Sequence, residues 1–168
     1  MDDSREDRLK FAKHFERAQG WLLLDRPDAA ELALEEIPAV FQARPVVRLF
    51  RSHLYMSTRE WGRAEPLLRQ LLAADPDEPE YWISLAYVVR RAHSLAEAEP
   101  ILLEARRRFA DVPLIWFNLA CYATQQGRLV DAHALLLEAF RLAPQLQDQA
   151  KTDPDLIPYW EWRGPGKA

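Results

Sequence analysis

The stretch PLIWFNLACYATQQGRLVDAHALLLEAFRLAP, residues 113–144, places its apolar residues at helical rather than alternating spacing on both sides of Gly127. Pro113 suits the first turn of a helix, because the N–H that proline lacks would have no partner there. Gly127 suits the end of that helix, because a left-handed cap strains glycine least. The stretch therefore predicts two helices joined by a short turn.

The same pattern recurs along the chain with a fixed period. A shift of 34 residues carries Trp82 to Trp116. The same shift relates three further series: Ala30, Ala64, Ala98 and Ala132; Leu34, Leu68, Leu102 and Leu136; Pro45, Pro79 and Pro113. Four units follow from this period: 11–44, 45–78, 79–112 and 113–146. Each unit is predicted to be a helix pair with alanine where the two helices approach closely, and Ser94 with Glu97 predicts a capping box.

The last unit resembles the tetratricopeptide repeat. The signature of that family corresponds here to Trp116, Leu119, Ala120, Ala123, Ala132, Leu136, Ala139 and Pro144. The resemblance covers residues 11–146 and is weakest in the first unit, as expected of a terminal repeat. It implies an all-α fold, a right-handed superhelix of antiparallel helix pairs, with a repeat domain at 1–146 and a capping segment at 147–168.

The resemblance also implies a concave groove lined by the first helix of each pair. Apolar side chains with scattered polar groups on these helices are typical of a peptide-binding groove. The predicted partner-binding residues are His53, Met56, Tyr87, Arg90, Arg91, Phe117, Cys121 and Gln125. Neighbouring arginines near a helix end suit a partner's carboxylates, and they equally suit the helix dipole. The alternative that segments of the chain itself cover many of these residues stays open.

The sequence of the C-terminal segment, residues 147–168, predicts a short helix that breaks at Asp153-Pro154 and again at Pro158. A stack of repeats needs its last apolar face covered. We expect three residues of the segment to cover it: Leu156, Ile157 and Trp160. In the alternative, the aromatic residues lie in a groove of the same or a neighbouring chain, as a built-in ligand or a homodimer contact: Tyr159, Trp160 and Trp162.

Composition and charge exclude several classes of function. The net charge of −4 provides no basic field for nucleic acid. The N-terminal stretch is acidic and polar, unlike a signal peptide, and no apolar stretch is long enough to span a bilayer. We therefore expect a cytoplasmic protein that neither binds nucleic acid nor inserts into a membrane.

Catalytic motifs are not evident. The four histidines fall at different points of the 34-residue period, so they predict no shared metal site. Cys121 has no base beside it in the sequence, and there is no Gly-rich phosphate loop. We expect no enzyme activity, cofactor or metal, and predict an adaptor or scaffold that binds a partner protein or peptide in the groove. The alternatives are a chaperone for a secreted or assembled client, and a structural subunit that self-associates.

Overall fold

The computed structural model describes residues 4–164, and this part of the chain is helical, without β-strands. The chain divides into two compact units, Met1–Pro76 and Asp77–Ala168. The described part of the first unit contains five helices: α1 Arg5–Leu23, α2 Pro27–Glu35, α3 Ala39–Gln42, α4 Pro45–Ser57 and α5 Trp61–Ala74.

The second unit begins with two helix pairs and ends with shorter elements. Its α-helices are α6 Pro79–Ala92, α7 Leu95–Arg108, α8 Pro113–Gln125, α9 Leu129–Leu142, α10 Leu146–Thr152 and α11 Ile157–Arg163. A short 3₁₀ helix, Pro154–Leu156, lies between α10 and α11. The fold is therefore all-α and built of helix pairs, as predicted.

Local sequence signals set the helix boundaries. The three periodic prolines are the first residues of α4, α6 and α8, as expected for a residue without an N–H. Gly127 follows the end of α8 with a φ of 76°, the left-handed conformation predicted for it. Half of the predicted capping box forms: the Ser94 hydroxyl accepts the Glu97 N–H and donates to the Glu97 carboxylate.

The alanine and leucine series form the interiors of the two units. All eight residues of the two series are fully buried: Ala30, Ala64, Ala98, Ala132, Leu34, Leu68, Leu102 and Leu136. Each alanine lies on the second helix of its pair. The sequence period thus marks fully buried positions on the second helix of each pair.

The structure differs from the first predicted repeat, residues 11–44, at both ends. Helix α1 begins at Arg5, six residues before the predicted unit at 11, because Ser4 caps it by accepting the Asp7 N–H. Helix α2 ends at Glu35, shortly before Pro38, and the short helix α3 follows.

Gln42, the last residue of α3, supports the early end of α2. Its amide donates to the carbonyls of Leu34 and Ile37 at 2.7 and 2.8 Å. The Leu34 carbonyl near the end of α2 thus accepts a side-chain hydrogen bond in addition to the Ile37 N–H.

Pro158 does not break the C-terminal segment. It lies in the first turn of α11, where proline is compatible with a helix, so the predicted second break is wrong. The predicted break at Asp153-Pro154 is confirmed, because α10 ends at Thr152 and the 3₁₀ helix begins at Pro154.

Replacing Ala98 by leucine tests the role assigned to the buried alanines. Ala98 is fully buried, so the larger leucine side chain would have to displace its neighbours, and Ala98→Leu is expected to lower the free energy of unfolding by about 1 to 3 kcal/mol. Ala96→Leu is the matched control, because Ala96 is exposed on the same helix. Urea denaturation measures both, and equal midpoints for the two variants would contradict the close approach of the paired helices.

Candidate binding surfaces on the first helices

In the first unit, α1 and α4 border an apolar groove of about 430 Å³. Four residues line it: Gln19, Leu22, Leu23 and Phe50. Leu23 is 88% exposed, so an aliphatic side chain points into water beside this groove. The predicted residues His53 and Met56 are part-buried on α4 and do not line it. An exposed apolar groove of this kind is typical of a binding surface.

In the second unit, the predicted residues lie on the first helices α6 and α8. The two helices are linked directly, since the buried Tyr122 hydroxyl donates to the Ala86 carbonyl at 3.1 Å. The predicted residues differ in exposure. Tyr87, Arg91 and Gln125 are exposed, Arg90 is part-buried, and Phe117 and Cys121 are buried.

Arg90 already has a carboxylate partner within the chain. Its guanidinium donates to both oxygens of Asp155, at 2.5 and 2.9 Å, and the side chains are 17% and 28% exposed respectively. The hydrogen bonds to Asp155 raise the pKa of Arg90, so this cation stays charged. The Tyr122 ring lies 5.1 Å from the same guanidinium. The carboxylate predicted from a partner is supplied here by the C-terminal segment.

Gln125 also binds the C-terminal segment. Its side-chain amide donates to the backbone carbonyl of Asp155 at 2.8 Å. Asp153 shapes the same turn, because its carboxylate accepts the Asp155 N–H at 2.9 Å and so caps the 3₁₀ helix. The next residue, Leu156, is fully buried, and the 3₁₀ helix packs on α8. One short segment therefore contacts the second unit's predicted surface through a carboxylate, a carbonyl and an aliphatic side chain.

Helix α11 continues the contact along α8 and α9. Tyr159 is 1% exposed, and its hydroxyl lies 2.8 Å from His133 Nδ1. The Trp160 indole donates to the Ala150 carbonyl at 2.8 Å. Leu156 is fully buried, as expected of a cap, whereas Trp160 is part-buried and bonds within the segment. The inclusion of Ile157 is wrong, because Ile157 is 53% exposed. Ile157 lies on the same helix as Tyr159 but on its other side, so that Ile157 faces solvent when Tyr159 faces the core.

Cys121 lies beside the two carboxylates of this turn. The Cys121 thiol and the carboxylates of Asp153 and Asp155 have ligand atoms within 4.8 Å of one another. Both Asp155 oxygens bind Arg90, however, and Asp153 caps the 3₁₀ helix. Burial raises the pKa of the Cys121 thiol. These contacts favour a buried packing role for Cys121 over a nucleophile or a metal ligand.

Over residues 4–164, no helix is long and apolar enough to cross a membrane.

The family model for the tetratricopeptide repeat matches residues 51–113 and 85–146. The chain belongs to the tetratricopeptide repeat family. No curated protein matches this chain. Among solved structures, this tetratricopeptide repeat chain is similar to a Thermobaculum terrenum O-GlcNAc transferase mutant, with 19% identity and a TM-score of 0.70. That likeness covers 83% of this chain and 27% of the transferase chain.

A second similar structure is MamA AMB-1, with 18% identity and a TM-score of 0.62. The likeness covers 97% of this chain and 94% of that chain. At these identities both likenesses show the repeat fold alone.

Several residues of the second unit's site were missed by the sequence patterns. Asp155 is the residue of the segment that Arg90 binds, His133 lies beside the Tyr159 hydroxyl, and the Tyr122 ring lies against the Arg90 guanidinium; none of the three was predicted to take part. The 34-residue period could not identify Asp155, because the segment lies outside the repeats. The local signal that was present is Asp153-Pro154-Asp155, an acidic cap before a proline.

Tyr159 and Trp162 provide a matched test of the cap. Tyr159→Ala removes a buried ring and its hydrogen bond to His133, so it should lower the free energy of unfolding by about 3 to 5 kcal/mol. Trp162→Ala removes a ring that is 49% exposed, so it should cost less than about 1.5 kcal/mol. Thermal and urea melts measure both. Equal, small losses for the two variants would show that the segment does not pack on α8 and α9.

Proposed function

We propose that this tetratricopeptide repeat protein is a protein–protein interaction adaptor whose first helices bind a segment of a partner. The observation that carries the proposal is the contact between α6, α8 and residues 153–156. There the first helices hold a short polypeptide segment by a side-chain carboxylate, a backbone carbonyl and an apolar side chain. These are the contacts through which proteins recognise peptides in general.

The groove in the first unit supports the same proposal by different chemistry. It is lined mainly by leucine and phenylalanine, and Leu23 is almost fully exposed beside it. Leaving such side chains in water costs free energy that a partner's apolar residue recovers on binding. We infer that the first unit contributes apolar anchoring to a partner. His53 and Met56, on the same helix as Phe50, stay predicted contacts.

We propose further that the chain acts in the cytoplasm and without catalysis. The burial of Cys121 and the engagement of Asp153 and Asp155 in structural contacts support a binding role.

A pair of exposed leucines allows the adaptor function to be tested. Leu23→Asp places a charge beside the groove of the first unit, and it should weaken partner capture at least about tenfold, the effect of losing a contact worth about 1.4 kcal/mol. Leu137→Asp is the matched control, because Leu137 is 55% exposed on α9, a second helix. Affinity capture from a cell extract, followed by quantitative mass spectrometry, measures both variants against wild type.

The outcomes separate the proposal from its alternatives. Loss of the same partners with Leu23→Asp, but not with Leu137→Asp, supports a first-helix binding surface. Equal capture by both variants would contradict that surface. A single captured client would favour the chaperone function. Self-association in light scattering, without any other partner, would favour the structural subunit.

A further inference from the structure

The C-terminal segment contacts α6 and α8 through polar groups as well as through buried apolar side chains. Arg90 binds Asp155 with two parallel hydrogen bonds, a geometry that a planar guanidinium makes with carboxylate in preference to other acceptors. An amide or a hydroxyl at position 155 could not accept both bonds in this way. Arg90 therefore selects for an acidic side chain.

Gln125 binds the main chain of Asp155. Its amide donates to the Asp155 carbonyl, a group that every peptide carries. The Asp155 N–H donates to the Asp153 carboxylate, which leaves the Asp155 carbonyl as the backbone group that Gln125 binds. Gln125 thus favours a backbone that bends at the acidic residue, as a short 3₁₀ turn does.

The residue after the acidic one is selected by burial. Leu156 is fully buried, whereas the flanking residues Pro154 and Ile157 are exposed. An aliphatic side chain next to the aspartate therefore contributes the apolar part of the contact.

A segment that only covered the last apolar face would not need the polar contacts that Arg90 and Gln125 make with Asp155. Covering the last apolar face requires buried apolar side chains, and Tyr159 and Leu156 already supply them. A part-buried ion pair adds a desolvation cost that an apolar cap avoids. Arg90 and Asp155 also keep some contact with solvent, at 17% and 28% exposed, so a competing carboxylate can reach the guanidinium.

From these contacts we infer that Arg90 and Gln125 form a binding site for an acidic peptide of a partner protein, with an aspartate followed directly by a large aliphatic residue. Residues 153–159 occupy this site as an internal competitor. The inference rests on the proposed adaptor function and names the ligand chemistry of its second unit. A covalently attached competitor has a high effective concentration, so the partner peptide binds well only when it makes further contacts or when the segment is weakened.

The probe for this site is the segment itself, supplied as a labelled peptide. The peptide KTDPDLIPYWEW copies residues 151–162. Its binding to the full chain is followed by fluorescence anisotropy. Asp155→Asn in the protein removes the internal carboxylate, and we expect it to bind the peptide at least about tenfold more tightly than wild type does. Asp148→Asn is the matched control, because Asp148 is an exposed aspartate of α10 whose partner is Lys151. The Asp148→Asn protein should bind the peptide as tightly as wild type does.

Two exchanges test the charge selection directly. A peptide carrying Asp155→Asn should bind the Asp155→Asn protein at least about tenfold more weakly than the unchanged peptide. An Arg90→Glu protein should lose the unchanged peptide and should bind a peptide carrying Asp155→Arg. Peptide affinity that is unaffected by the aspartate, or by the charge of residue 90, would overturn the proposal.

Hydrogen exchange on the wild-type chain keeps the test independent of any variant's folding. Saturating peptide should displace the internal segment and raise amide exchange in residues 157–163 several-fold. Unchanged exchange at saturating peptide would mean that residues 153–159 are a permanent cap, and would overturn the proposal. If the peptide tests fail while Leu23→Asp still abolishes partner capture, the adaptor function stands and its binding surface lies on the first unit.

Discussion

Burial of a small residue on the second helix of each pair is the constraint on which the repeat fold depends. Ala30, Ala64, Ala98 and Ala132 are all fully buried, and each is followed four residues later by a fully buried leucine. The small residue lets the backbones approach, and the leucine fills the space one turn further along the same face. The periodic prolines set the starts of the first helices that pack against these second helices.

Features with local causes were predictable from the sequence. Pro45, Pro79 and Pro113 start helices because proline suits a first turn, and Gly127 ends one because it adopts a positive φ. The early start of α1 and the short helix α3 were not predictable from the period, because Ser4 and Gln42 act outside it.

In the candidate sites, too, features with local causes were predictable and long-range contacts were not. The position of Arg90 near the end of a helix predicts that it suits either a partner's carboxylate or the helix dipole, and the structure shows a carboxylate. The source of that carboxylate could not be read from the sequence, because Arg90 and Asp155 are 65 residues apart and no periodicity relates them. Phe117 and Cys121 were predicted to contact a partner, but they are buried, so the partner contacts assigned to them stay predictions. Any contact with them would require the structure around α8 to open.

Arg90 holds the C-terminal segment by its specific pairing with Asp155. A double-mutant cycle measures this pairing most directly, through the free energies of unfolding of Arg90→Ala, Asp155→Ala and the double variant. The two effects should be coupled by about 1 to 3 kcal/mol, the range for charged groups in direct contact. Additive effects, within about 0.5 kcal/mol, would contradict the pairing and the placement of residues 153–156 on α6 and α8.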